Sequence, residues 1–114
     1  MRRGIGLGLV AVALVGAIVV VATNRGSRDL RIVVPPGTME RIEAGEQVEL
    51  LPRVLEVRVG DRLVIVNDDD ATHQVGPYLV GPGQRLEQRF TRPGRIEGLC
   101  TLHPSGEVAI VVRD

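Results

Sequence analysis

Three side chains of this 114-residue chain could together hold a soft metal ion, and they are almost the only ones of their kind in it. Cys100, the sole cysteine, stands in "EGLCTLHPSGEVAIVV", and His103 follows it within the same stretch. The other histidine, His73, stands in "VNDDDATHQVGP". Taken singly, each has an ordinary explanation. A lone cysteine is usually a small buried hydrophobe, a loop histidine is usually solvated, and Asp68-Asp69-Asp70 is a polar turn. Taken together, one thiolate and two neutral imidazoles form the trigonal set that suits copper in electron-transfer sites. The thiolate is soft enough for Cu(I), and the imidazoles accept Cu(II). A rigid frame beneath such ligands keeps reorganisation small as the electron moves.

Other chemistries are poorly served. A formal charge of zero removes the basic excess expected of a nucleic-acid partner. One cysteine allows no internal disulfide, no CxxCH haem attachment, no paired-CxxC zinc site and no binuclear copper centre of the two-cysteine kind. A Cys–His nucleophile needs an orienting third residue and usually an activating helix N-terminus, and the loop offers neither by sequence. The chain is therefore expected not to be an enzyme.

The frame reads as strands. From Leu30 onward no segment keeps a 3.6-residue apolar period; alternation and β-branched runs appear between Gly and Pro instead. Strands are expected at 30–34, 54–59, 62–67, 84–90, 95–99 and 107–112, with a weaker one at 47–51. Pro35-Pro36-Gly37, Gly60-Asp61 and Arg92-Pro93-Gly94 supply turns. Seven or so short strands imply an all-β antiparallel sandwich. Its core must be mainly Val, Leu and Ile, since Tyr78 and Phe90 are the only aromatics. Loops at one end of a sandwich converge, so His73 and the 100–103 loop can meet there.

The first residues concern location. "MRRGIGLGLVAVALVGAIVVVATNRGSR" carries Arg2 and Arg3, then runs uncharged from Gly4 to Thr23. A helix of about twenty residues spans about 30 Å, the thickness of a bilayer's hydrocarbon core. A cleaved signal peptide would carry a shorter run, of about 7–15 residues, and Val20-Val21-Ala22 is a weak cleavage site. Run length favours an uncleaved transmembrane helix over residues 4–23. The expected organisation is residues 1–23 as anchor, 24–29 as linker and 30–114 as the folded domain. That domain would lie outside the cytoplasm, on the cell surface or in the periplasm, and would be secreted if the segment is cleaved.

From Arg58 to Val112 the chain resembles the cupredoxins, the small blue-copper proteins such as plastocyanin and amicyanin. The resemblance rests on "VGDRLVIVN", His73 after Asn67 in an N-x5-H spacing, "PGQ" at 82–84, Phe90 with "PG" at 93–94, and "CTLHP" at 100–104. It implies a Greek-key β-sandwich with one mononuclear copper held by His73, Cys100 and His103. It further implies that Asn67 ties the ligand loops together near Thr101, supporting the thiolate. In the resembling family the second histidine reaches the surface through an apolar patch that serves as electron port; here Leu102, Pro104, Pro77 and Leu79 are the candidates.

One element departs from that family's pattern. Its weak axial methionine, normally found shortly after the second histidine, is missing from "HPSGEVA". Met39, the only methionine after the first residue, lies in an early turn. Glu107 is the nearest donor, but strand alternation with Val108, Ile110 and Val112 inward turns it outward. The Thr72 carbonyl is a more distant candidate. The resemblance thus implies a membrane-anchored, extracytoplasmic carrier of single electrons, meeting a redox partner protein at the membrane surface. Two alternatives stand beside it. One is copper handling, with a copper donor or acceptor as partner. The other is a metal-free sandwich acting as an interaction module.

Overall fold

The computed structural model describes residues 18–24 and 27–114. β1 (Ile18–Asn24) and β2 (Ser27–Val34) pair antiparallel, and a short helix α1 (Thr38–Glu43) follows. Then come β3 (Val54–Arg58), β4 (Arg62–Asn67), the hairpin β5 (His73–Val75) and β6 (Tyr78–Val80), and β7 (Arg85–Arg89). β8 (Gly94–Leu99) and β9 (Glu107–Arg113) close the chain. One sheet has the order β1-β2-β4-β7 and the other β3-β9-β8, with the β5-β6 hairpin as a small third sheet.

The apolar pattern dictates the layering. In β2, Leu30, Ile32 and Val34 alternate inward, as do Leu55 and Val57 in β3. β4 and β9 lie between neighbours, and their buried runs, Leu63-Val64-Ile65 and Val108-Ala109-Ile110, are continuous rather than alternating. Phe90 is the one buried aromatic, so the core is aliphatic, each side chain contributing about 1.5–3 kcal/mol by burial. Asp61 bridges the layers from the turn between β3 and β4. Its buried carboxylate accepts from the Arg28 N–H and guanidinium of β2 and from the Arg58 N–H of β3.

Several expectations need correction. The sandwich is mixed, not purely antiparallel: β2 pairs with β4, and β3 with β9, in parallel. The crossings over α1 and over the β4–β8 stretch carry the chain back in the same direction. Residues 47–51 form no ladder, although Val48, Leu50 and Leu51 are buried; the Leu50 N–H donates instead to the Leu102 carbonyl at 2.8 Å. α1 appears where a turn was expected, because its cap lies far away in sequence. Gly37, at φ +84°, has no side chain to cap with, and the Asp69 carboxylate accepts from the N–H groups of Gly37 and Met39, each at 2.9 Å.

The expected membrane helix over 4–23 runs into β1. Ile18–Asn24 pairs with β2 from Ile18↔Ile32 to Asn24↔Ser27, so these residues cannot also be part of a spanning helix. Residues 4–17 lie outside the described residues. Of the expected linker at 24–29, Asn24 lies in β1 and residues 27–29 in β2, and residues 25–26 lie outside the described residues. Among the described residues no helix is long and apolar enough to cross a membrane.

Candidate metal centre

Cys100 begins the loop between β8 and β9, and that loop is closed by its own backbone. The Cys100 N–H donates to the Gly106 carbonyl at 2.8 Å, and the Gly106 N–H to the His103 carbonyl at 2.9 Å. Gly106 has φ +81°, a left-handed conformation that glycine adopts without steric cost. The thiol is buried, and burial pushes its pKa up; the N–H groups of Leu102 and His103, hydrogen-bonded to the sulfur, pull the other way. Burial wins, so the sulfur keeps its proton until a metal cation replaces it, and the two amides then stabilise the thiolate.

β5 lies along this loop. Val75 bridges Cys100, the Thr101 N–H donates to the Gln74 carbonyl at 2.9 Å, and the Gly76 N–H donates to the Leu99 carbonyl at 2.8 Å. The approach is close enough that a Cβ on Gly98 would stand 2.9 Å from the Gly76 Cα. His73, at the start of β5, is thereby fixed beside Thr101.

The imidazole of His73 is fully buried and engaged at both nitrogens. Nε2 lies 2.8 Å from Asp69 Oδ2, and Nδ1 lies 2.9 Å from the Thr101 hydroxyl. Burial alone would raise the Asp69 pKa. The His73 hydrogen bond and the N–H groups of Met39, Asp70 and Gly37 outweigh it and hold the acid at about 2. With Asp69 anionic, the proton of the neutral ring sits on Nε2, and Nδ1 carries the lone pair. That lone pair accepts from Thr101.

His103 repeats the arrangement at the surface. Its Nδ1 accepts from the Ser105 N–H at 3.0 Å and lies 2.8 Å from the Ser105 hydroxyl, while Nε2 is 3.8 Å from Glu49. Both histidines therefore present an unprotonated Nδ1 covered by a hydroxyl. Each hydroxyl has a second acceptor within reach: the Gln74 carbonyl at 3.5 Å for Thr101, and the Glu107 carbonyl at 3.3 Å for Ser105. The His73 Nδ1 can be released without leaving its hydroxyl unsatisfied, whereas the His103 Nδ1 also holds the Ser105 N–H.

A cleft of about 350 Å³ opens over this loop, lined among others by Cys100, Thr101, His103, Pro104, Gly106 and Met39. His73 does not line it; its bonds to Asp69 and Thr101 hold the ring behind the Thr101 side chain. The expected three-ligand cluster is thus brought together only in part. Among the described residues no three His, Cys, Asp or Glu side chains are grouped closely enough to hold a metal. The donor chemistry nonetheless fits copper: a buried sulfur with two amide donors, an imidazole in the same cleft, and a second imidazole one hydroxyl away.

The remaining candidates divide. Asn67 makes no bond to Thr101. Its amide instead donates to the carbonyls of Ala71, Val80 and Gly81, while its oxygen accepts from the Asp69 N–H, so it shapes the turn carrying Asp69. Thr101 is tied to β5 directly, its hydroxyl accepting from the Gln74 N–H at 3.1 Å. Glu107 points to solvent and pairs with Arg53 at 2.8 Å, and Thr72 is exposed just before β5. Leu102 is fully buried and cannot belong to a surface patch, whereas Pro77, Pro104 and Leu79 are exposed. Leu99, 63% exposed immediately before Cys100, is an apolar surface residue that alternation in β8 marks but the sequence pattern alone did not single out. Asp69, bonded to His73, is another residue the sequence did not single out, and α1 carries Met39 from what reads as an early turn to the cleft.

No family model and no curated protein matches the chain. Among solved structures it is similar to a purple cupredoxin from Nitrosopumilus maritimus, with 25% identity over 72% of this chain and 97% of that one, at a TM-score of 0.44. It is also similar to a mutant of amicyanin in the reduced state, with 22% identity over 86% of this chain and 98% of that one, at a TM-score of 0.45. The Cu(I) form of another amicyanin mutant aligns at 22% identity over 73% of this chain and 82% of that one, at a TM-score of 0.44.

Proposed function

We propose that this chain binds one copper ion at the β8–β9 loop and carries single electrons outside the cytoplasm. The observation that carries the reading is the shared cleft of Cys100 and His103, with His73 behind it bonded to Asp69 through Nε2, which leaves Nδ1 as the lone-pair nitrogen of the neutral ring. Copper would supply the one-electron Cu(I)/Cu(II) couple. The protein's part is to supply a thiolate and imidazole nitrogens in fixed tautomers on a stiff β frame. His73 would be the further nitrogen donor, its Nδ1 now bonded to the Thr101 hydroxyl, which has the Gln74 carbonyl as an alternative acceptor.

An enzyme is a weaker reading. Asp69, His73 and Thr101 do stand in the order of acid, base and hydroxyl. The Thr101 oxygen, however, is already bonded by the Gln74 N–H, and the amides of Leu102 and His103 are spent on the Cys100 sulfur rather than facing a reacting carbonyl. Copper delivery or sequestration is favoured by one feature. The cleft itself offers a sulfur and one imidazole, with His73 set back, a donor set suited to Cu(I).

Export fits the uncharged run from Gly4 to Thr23, whose part ahead of β1, residues 4–17, has the length of a signal h-region. The test is copper titration of the full chain followed by visible and EPR spectroscopy. An intense thiolate-to-copper band, lost in Cys100→Ser, with a reversible one-electron couple supports the carrier. Tight Cu(I) binding without a reversible couple selects copper handling. No band and no Cu(I) binding overturns the copper reading.

A further inference from the structure

The ligand loop carries no methionine, yet a thioether stands over it. Met39, in the first turn of α1, lines the same cleft as Cys100 and His103 and is only partly buried. Its backbone is not free to drift. The Met39 N–H is held at 2.9 Å by Asp69 Oδ2, and that same oxygen lies 2.8 Å from His73 Nε2. Gly37 is held by the other oxygen of the same carboxylate. One buried acid therefore positions both the histidine behind the loop and the residue that roofs it.

We infer that Met39 supplies the soft donor that this loop lacks, so that its thioether, delivered from α1, completes a Cys100–His103–Met39 site for a monovalent soft cation. The inference rests on the copper reading above and adds to it the residue and the element that close the site. A thioether binds Cu(I) in preference to Cu(II). Glu107, the nearest acidic donor by sequence, faces away and pairs with Arg53, so that carboxylate does not reverse the preference. Glu46 lines the cleft as well, but it is exposed. Gly106 faces the cleft from the loop with no side chain, which leaves room for a donor arriving from α1.

The chain contains only two methionines, Met1 and Met39, so selective 13C labelling of methionine methyls gives at most two signals. The full-length protein is titrated with Ag(I), a redox-inert stand-in for Cu(I), and the methyl spectrum is recorded. The Met39 signal, assigned by its loss in Met39→Leu, is expected to move and to saturate at one equivalent, together with the loss of a titratable Cys100 thiol. In parallel, Cu(I) affinity is measured by competition with a chromophoric chelator. Met39→Leu is expected to weaken Cu(I) by about tenfold or more and to lower the reduction potential, while Cys100→Ser abolishes binding.

Ag(I) and Cu(I) bound through Cys100 with the Met39 signal and the Met39→Leu affinity unchanged would overturn this inference and leave the copper reading intact. No binding through Cys100 would overturn both. The labelling measurement needs Met39→Leu only to tell the Met39 signal from that of Met1, and the titration itself is read on the wild-type chain.

Discussion

The Asp69 carboxylate stands 2.8 Å from Nε2 of His73, with both side chains shut off from solvent. This pair joins three parts of the chain: the turn after β4, the first residue of β5 and, through the N–H groups of Gly37 and Met39, the start of α1. Asp69→Asn keeps one acceptor oxygen and loses the charge. It is expected to destabilise the fold by about 1–3 kcal/mol, the range for a lost cap and a buried charged hydrogen bond. Urea denaturation at neutral pH measures it.

The same acid sets a limit in acid solution. The Asp69 pKa is depressed from 3.8 to about 2 in the folded chain. Between those values the unfolded state binds the proton and the folded state does not, so lowering the pH favours unfolding. The stability from Asp69 is fully present above about pH 4 and is lost as the pH falls toward 2. Melting temperature measured across that window should fall in the wild type, and more gently in Asp69→Asn.

The Gly98–Gly76 contact gives a packing prediction. A methyl on Gly98 would meet the Gly76 Cα at 2.9 Å, and backbone cannot step aside as a flexible side chain can. Gly98→Ala should therefore push the β5–β6 hairpin off β8 and cost about 1–3 kcal/mol. Because that hairpin carries His73, amide exchange at Gly76 and Thr101 should quicken in the variant. Unchanged exchange with unchanged stability would show that the two backbones have slack.

Much of the frame is legible in the sequence because burial imposes a period. β4 and β9 follow from their apolar runs within a residue or so of their ends, and β2, β3, β7 and β8 from alternation. What escapes is set by contacts distant in sequence. α1 has no local cap, since Asp69 caps it from 30 residues away. Residues 47–51 read as a weak strand, but the Leu50 N–H is bonded to the Leu102 carbonyl of the ligand loop rather than to a strand. β5 and β6 are only three residues each, too short to show a period. The uncharged N-terminal run reads as a spanning helix by its length alone, and the pairing of Ile18–Asn24 with β2 is a distant contact that the run does not show. At the site, Cys100, His103 and His73 are visible as rare residue types. Asp69 is hidden between two other aspartates, with nothing in sequence to tell which one turns inward.

Glu107 provides a negative control for the metal centre. It is exposed and bonded to Arg53, on the outward side of β9. An exposed pair of this kind contributes at most about 1 kcal/mol. Glu107→Gln should leave stability within that margin and leave the colour and potential of the copper-loaded chain unchanged. A clear change in both would make Glu107 a ligand.

The route of the electron is the last expectation, and burial redirects it. Leu102 is fully buried, and its carbonyl accepts from the Leu50 N–H, so Leu102→Glu would place an unpaired charge in the core. That variant should fail to fold and says nothing of electron exchange. Leu79 and Leu99 are the exposed leucines among the described residues, 65% and 63% exposed, on the hairpin and on β8. Leu79 pairs with Gln74, next to His73, and Leu99 precedes Cys100. Single exposed leucines replaced by glutamate should change stability by about 0.5 kcal/mol or less. If the partner docks on this face, Leu79→Glu and Leu99→Glu should each slow the electron self-exchange rate of the copper-loaded chain while its spectrum stays fixed. The rate, followed by NMR line broadening in mixtures of the two oxidation states, decides the matter: slowing in both variants places the port here, and wild-type rates in both move it elsewhere.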